Sequence, residues 1–157
     1  MVVSLSFIPH IQKLYNIMKK NQKRIVFSGG NGRFGEVFKQ VNNKYKIFYP
    51  SKKILDITNI KKIESYIKKI KPHYFIHCAA LSRPMKIHYN NIKKSIDLNI
   101  IGTCNVVKIC KEYKIKLIYF SSNFVYPGFK GNYDEKNPLL PFNNYGWSKL
   151  GGECAVK

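Results

Sequence analysis

The chain has 157 residues, enough for one domain with a core of its own. Its 28 basic and 8 acidic residues give a formal charge of +20. The lysines nevertheless run through almost every segment alongside abundant Asn, Ile and Tyr, so the charge reads as compositional bias and not as a nucleic-acid-binding patch.

Cys78, Cys104, Cys110 and Cys154 form no C-x-x-C pair, which excludes a disulfide framework and a zinc site and fits reduced thiols in a cytoplasmic protein. The start, MVVSLSFIPHIQKLYNIM, is interrupted by Pro9, His10 and Lys13 and has neither a basic leader nor a cleavage site, so it reads as neither a signal peptide nor a membrane span. Residues 1–22 are assigned as an N-terminal extension of unknown role, with Met18 a natural beginning for a domain covering residues 23–157.

The chain then alternates. Ile25, Val26 and Phe27 form an unbroken apolar run, as a strand covered on both faces requires, and lead into glycines at Gly29, Gly32 and Gly35. Gly29 suits a sharp turn, Gly32 lets a pyrophosphate approach the backbone, and Gly35 allows close packing of the next helix, whose N-terminus near Arg33 faces the phosphates. Phe34, Val37, Phe38 and Val41 predict that helix over Arg33 to Asn42, and Tyr45 to Tyr49 predicts a second strand closed by Pro50 and Ser51. Ile54 and Leu55 predict a very short third strand ending on Asp56.

Thr58 or Asn59 caps a helix with apolar positions Ile60, Ile63, Ile67 and Ile70 that stops at Pro72. HYFIHCAA is a fourth strand, Ser95 to Tyr113 a long helix, and KLIYFSS a fifth strand; Asn123 to Asn143 is an irregular segment long enough to be functional, and a last helix begins near Asn144. Such alternation implies a Rossmann-type, doubly wound parallel sheet, an α/β fold with strand order 3-2-1-4-5 and its ligand at the carboxyl ends of the strands. The glycine loop, Asp56, Ala79, Ala80, Ser121 and Ser122 all fall at such ends.

These stretches together resemble the extended short-chain dehydrogenases/reductases, in particular the dTDP-4-dehydrorhamnose reductase-like (sugar-nucleotide reductase) branch. The resemblance rests on SGGNGRFG, DIT from Asp56, PHYFIHCAA, DLNIIGTCN from Asp97, SSNFVYPG from Ser121 and YGWSKLGGE from Tyr145, in the family's order. It implies that Tyr145 and Lys149 are the Y-x-x-x-K pair, with Ser122 holding the substrate oxygen and Asn99 positioning a water that relays protons to Lys149. At i and i+4 the ammonium is expected to sit beside the phenol and lower its pKa.

The resemblance further implies a cofactor site built from Gly29, Asn31, Gly32, Arg33, Phe34, Gly35, Ser51, Lys52, Asp56, Ile57, Cys78, Ala79, Ala80, Asn99, Tyr145 and Lys149, with no metal. NADP(H) is expected over NAD(H), which stays possible: no acidic residue closes the second strand to accept a ribose hydroxyl, and Ser51, Lys52, Lys53 and Arg33 offer a hydroxyl and cations to a 2′-phosphate.

The implied reaction is reduction of a 4-keto-6-deoxy nucleotide sugar. A nucleotide-sugar epimerase or dehydratase is the alternative within the superfamily. The family's methionine adenosyltransferase partner offers another, a non-catalytic cofactor-binding subunit. A nucleotide-sugar substrate is the expected partner, with neither nucleic acid nor membrane; the full-length family suggests a homodimer. Because the family continues past the Y-x-x-x-K helix into more strands and a substrate lobe, the chain alone is expected to be inactive, with its fifth strand left as an open apolar edge. His73, His77 and His88 read as structural, and Trp147 as packed or lining the pocket.

Overall fold

The computed structural model describes residues 23–42 and 45–157, together with the backbone of residues 2–3. Five strands, β1 (Val2–Val3), β2 (Arg24–Ser28), β3 (Lys46–Phe48), β4 (Tyr74–His77) and β5 (Lys116–Phe120), form one parallel sheet in the order β1-β5-β4-β2-β3. The α/β class and the parallel, doubly wound sheet are as expected.

Two edges differ from the expected order. Ile54 and Leu55 form no strand, because the carbonyl of Ser51 takes both their N–H groups, at 3.0 and 2.9 Å, and closes a turn. Leu55 is buried in the core all the same. At the opposite edge β5 is not open: Val2 and Val3 pair with Tyr119 and Phe120. The rest of the N-terminal extension lies outside the described residues.

Strand alternation supplies a core on each face. Val26 and Phe75 point to one side, where they meet Ile63 and Ile67 of α2 (Ile60–Ile70) and Val106 and Ile109 of a later helix. Ile25, Phe27 and Ile76 point to the other, against Phe34 and Phe38 of α1 (Arg33–Val41). Val37 and Val41, expected on the same helical face, are exposed.

Asn59, not Thr58, caps α2, accepting from Lys62 N. The helix ends at Lys71, in left-handed conformation, just before Pro72. Arg24 locks this end to β2: Nε donates to the Ile70 carbonyl at 2.8 Å and Nη2 to that of Lys71 at 2.7 Å. His73 is part of the same frame, its Nδ1 accepting from Arg24 N.

Beyond β4 come two short helices, α3 (Ile87–Asn90) and α4 (Ile92–Ser95), then a π-helical turn over Ile96–Ile101 that runs straight into α5 (Gly102–Glu112). π turns widen a helix locally and frequently mark functional sites; the buried residue of this one is Asn99. After β5, Ser122 caps a single 3₁₀ turn, Asn123–Val125, and α6 (Asn144–Val156) ends the fold, capped by Asn143. No described helix is long and apolar enough to cross a membrane.

Candidate active site

The glycine loop joins β2 to α1. Gly29 has φ +80°, and a Cβ there would lie 2.6 Å from the backbone nitrogen of Ala79, so the loop is pressed onto the end of β4. A Cβ on Gly35 would meet the Gly30 carbonyl oxygen, which makes Gly35 the residue that lets α1 close on the loop itself. A Cβ on Gly32 would lie 3.3 Å from the Gly29 carbonyl oxygen, and α1 has no side-chain cap, in contrast to α2 and α6. Uncapped N–H groups at the positive end of a helix are what a pyrophosphate needs.

The loop's side chains divide. Asn31 and Arg33 are exposed, with Asn31 Oδ1 taking a 3.4 Å contact from Lys39 Nζ. Phe34 turns inward, 4.9 Å from the ring of Phe120. Gly30 lies flat under the ring of Tyr49, where an added Cβ would come too close. Spacing alone did not single out Gly30, because it lies between two glycines of the three-residue repeat and is out of step with it.

Near β3, Ser51 is half-buried and Lys52 exposed. Asp56 accepts from Thr58 N at 3.0 Å and from its hydroxyl at 2.8 Å. Burial pushes the Asp56 carboxyl up, but those bonds and the Lys52 and Lys62 charges outweigh it and leave it below the usual value. Ile57 packs on Gly102, and its carbonyl takes the amide of Asn105. Cys78 N continues the ladder by donating to Ser28 O, while burial raises the Cys78 thiol out of thiolate range.

Tyr145, half-buried, stands at the start of α6 in a slot between two rings, His88 at 5.1 Å and Phe124 at 5.5 Å. Ser122, at the end of β5, hydrogen-bonds with it. Burial raises the phenol above its ordinary value, and the Ser122 bond and the charge of Arg83 offset this only in part. The expected lowering by Lys149 is thus corrected. The ammonium of Lys149 turns away under the sheet, donating to the Phe120 carbonyl at 2.7 Å and lying 4.2 Å over the ring of Tyr119. Burial brings Lys149 itself down to about 8, against the raising charges of Cys78 and Glu153.

Asn99 is fully engaged in scaffolding. Its amide donates to the Leu81 carbonyl and to Ser148 Oγ, both at 2.9 Å, while its Oδ1 accepts from Leu81 N at 2.7 Å. It therefore ties the loop after β4 to α6. Both amide hydrogens are spent there, which leaves one lone pair on Oδ1 for the expected water. The Asn99 backbone carbonyl takes the Thr103 hydroxyl, and Thr103 Oγ1 lies 3.1 Å from His77 Nε2.

His88 is structural, as expected, whereas Trp147 is more exposed than a packed residue would be. His88 is wholly buried and forms a wall of the Tyr145 slot, with Nδ1 2.7 Å from Ser95 Oγ. Its Nε2 has no well-formed partner. Trp147 is 51% exposed. Arg83, Phe124 and His88 were not legible as site residues, because all three lie in irregular or very short segments without periodicity. Among the described residues no cluster of His, Cys, Asp or Glu could hold a metal ion.

A family profile described as "RmlD substrate binding domain" matches residues 23–157. Among curated proteins, methionine adenosyltransferase 2 subunit beta of Xenopus laevis is 31% identical over 143 residues, covering 85% of this chain and 42% of its own length. Among solved structures, the dTDP-4-dehydrorhamnose reductase of Bacillus anthracis in complex with NADP superposes with a TM-score of 0.81 at 34% identity, over 87% of this chain and 49% of that one. The Clostridium acetobutylicum dTDP-4-dehydrorhamnose reductase ortholog does so with a TM-score of 0.77 at 27% identity, over 85% of this chain and 48% of that one. The chain spans about half the length, 42% to 49%, of the subunit-beta relatives it matches.

Proposed function

This chain belongs to the RmlD substrate-binding-domain family, and from that premise we propose that it carries the site of an NADPH-dependent reductase acting on a 4-keto-6-deoxy nucleotide sugar. The observation that carries the reading is the convergence of Ser122 and Tyr145, in hydrogen-bonding contact, at the same carboxyl end of the parallel sheet as the uncapped glycine loop. The loop fits a dinucleotide: Gly29, Gly32 and Gly35 let it fold tightly between the end of β4 and α1, and the free N–H groups of α1 would hold the phosphates.

When bound, the nicotinamide supplies a hydride. Tyr145 gives its phenolic proton to the ketone oxygen as the carbonyl carbon is reduced. Its raised pKa keeps that proton in place at neutral pH, which suits an acid more than a base. Ser122 holds the same oxygen through its hydroxyl. Lys149 keeps a buried cation at the end of β5 and would hold the nicotinamide ribose. Asn99 keeps the loop after β4 and α6 in register.

Arg33, Ser51 and Lys52 favour a cofactor with a 2′-phosphate, and no acidic side chain at the end of β3 opposes it. Titration of the protein with NADPH and NADH, followed by nicotinamide fluorescence, is expected to give a Kd about tenfold or more lower for NADPH, the size of one charge-assisted contact. Equal affinities, or tighter NADH, would remove the preference. Binding of neither would remove the cofactor site.

A second reading is supported by the likeness to the subunit-beta proteins: a cofactor-binding subunit with no turnover of its own. Bound NADPH that is never oxidised by any 4-keto sugar nucleotide, together with a co-purifying methionine adenosyltransferase, would favour it.

A further inference from the structure

Among the described residues, Lys149 and Glu153 are the only buried members of the Lys, Arg, Asp and Glu set. They stand one turn apart on α6 and grip consecutive residues at the end of β5. Lys149 Nζ donates to the carbonyl of Phe120 at 2.7 Å, and Glu153 accepts from Ser121 Oγ at 2.7 Å. The next residue is Ser122, which caps the 3₁₀ turn and contacts Tyr145. In a chain with only 8 acidic residues and a charge of +20, an acid buried at this point is a placement that surface solvation does not explain.

We propose that Glu153 is a positioning residue: its carboxylate, tethered to Ser121, is the counter-charge that keeps the Lys149 ammonium seated on the Phe120 carbonyl beneath the candidate site. This deepens the reductase reading, on which the importance of Lys149 rests. A buried ammonium without a compensating anion is costly, whereas two buried opposite charges with their own hydrogen bonds offset each other. The other titratable groups around Lys149 do not supply that anion. His77 and Cys78 face it from the end of β4, and burial keeps both neutral; Tyr119 lies under it with its phenol raised by burial. Lys157, at 3.5 Å from Glu153, is a further cation, largely exposed on the outer side.

The bland alternative is that Glu153 only anchors α6 to β5. Three variants separate the two. Glu153→Gln keeps the size and an acceptor for Ser121 but removes the charge; Ser121→Ala removes the tether but keeps the charge; Lys149→Met with Glu153→Gln removes both charges. The first readout is the titration midpoint of Lys149, followed by NMR of ¹³C-labelled lysines and assigned with Lys149→Met. Glu153→Gln is expected to lower that midpoint by at least one unit, a tenfold loss of proton affinity, with a smaller change in Ser121→Ala.

The second readout is the urea midpoint of unfolding. The double variant is expected to be more stable than Glu153→Gln alone, because the uncompensated cation is gone. If Glu153→Gln does not fold, the double variant is expected to fold. An unchanged Lys149 midpoint in Glu153→Gln, or a double variant no more stable than Glu153→Gln, would overturn the proposal. Neither readout involves cofactor or substrate, so a failure here is distinct from a failure of the reductase reading.

Discussion

Replacing Tyr145 with phenylalanine in a complete protein carrying this domain is expected to slow ketone reduction by about 10²- to 10⁴-fold, the usual contribution of a positioned proton donor. The fold should not notice. The ring is held by His88 and Phe124 through its faces and edges, and a phenylalanine fills the same slot. Cofactor affinity and the urea midpoint should therefore stay near those of the parent chain while the rate falls. The pH dependence adds a second signature: because burial holds the phenol above its ordinary value, the rate of reduction should not fall between pH 7 and 9 through loss of this proton. Assays of NADPH oxidation with a 4-keto-6-deoxy nucleotide sugar, run on both proteins across that range, test both parts. A Tyr145→Phe rate within a factor of two of the parent would remove Tyr145 from the chemistry.

Acid is expected to unfold the protein through His77. Its imidazole is fully buried, with Ser28 Oγ 2.8 Å from Nδ1 and Thr103 Oγ1 3.1 Å from Nε2. The Thr103 hydroxyl hydrogen is spent on the Asn99 carbonyl, so Nε2 donates to Thr103 and Nδ1 accepts from Ser28. That arrangement suits a neutral ring, and burial opposes a second proton. Burial and, to a lesser degree, the Lys149 charge bring its pKa down to about 3 from the ordinary 6.5.

Between these values the unfolded chain binds a proton that the folded chain refuses. Stability is thus fully present above pH 6.5 and is lost as pH falls toward 3, by on the order of 5 kcal/mol over the whole interval. His88, also lowered by burial, acts in the same direction. Asparagine at position 77 offers polar atoms to the same partners and does not titrate. The urea midpoint of His77→Asn should accordingly fall much less than that of the parent between pH 7 and pH 4. Parallel loss in both proteins would mean that the acid sensitivity lies elsewhere.

Most of the framework was legible because local patterns and global fold agree. Uninterrupted apolar runs at Ile25–Phe27 and Tyr74–Ile76 became central strands buried on both faces, and isoleucines at helical spacing became the inner face of α2. The Ile54–Leu55 strand misled because two apolar residues suit a strand and a buried turn equally. The Ser51 carbonyl decided between them by taking both N–H groups. The pairing of Val2–Val3 with β5 is a contact between segments far apart in the sequence, and no local pattern encodes it.

At the candidate site the sequence specified which residues meet but not which atoms touch. Spacing brought Tyr145 and Lys149 to one helix, yet tertiary burial turned the ammonium toward Phe120. Asn99 was legible as important, but its commitment to Leu81 and Ser148 depends on a π turn that periodicity does not reveal. Glu153 lay in plain view in YGWSKLGGE; its burial, and with it its significance, was visible only in the fold.

Transfer of deuterium tests the central claim most directly. A complete protein that joins this domain to the family's substrate lobe is mixed with NADPH carrying deuterium at the transferable C4 position and with a 4-keto-6-deoxy nucleotide sugar, and the sugar product is examined by mass spectrometry and NMR. A reductase site built from the glycine loop, Ser122 and Tyr145 predicts a hydroxylated product one mass unit heavier than with unlabelled cofactor, with the deuterium on the former ketone carbon. Cofactor that binds while the sugar is recovered as unreduced, unlabelled ketone would contradict it.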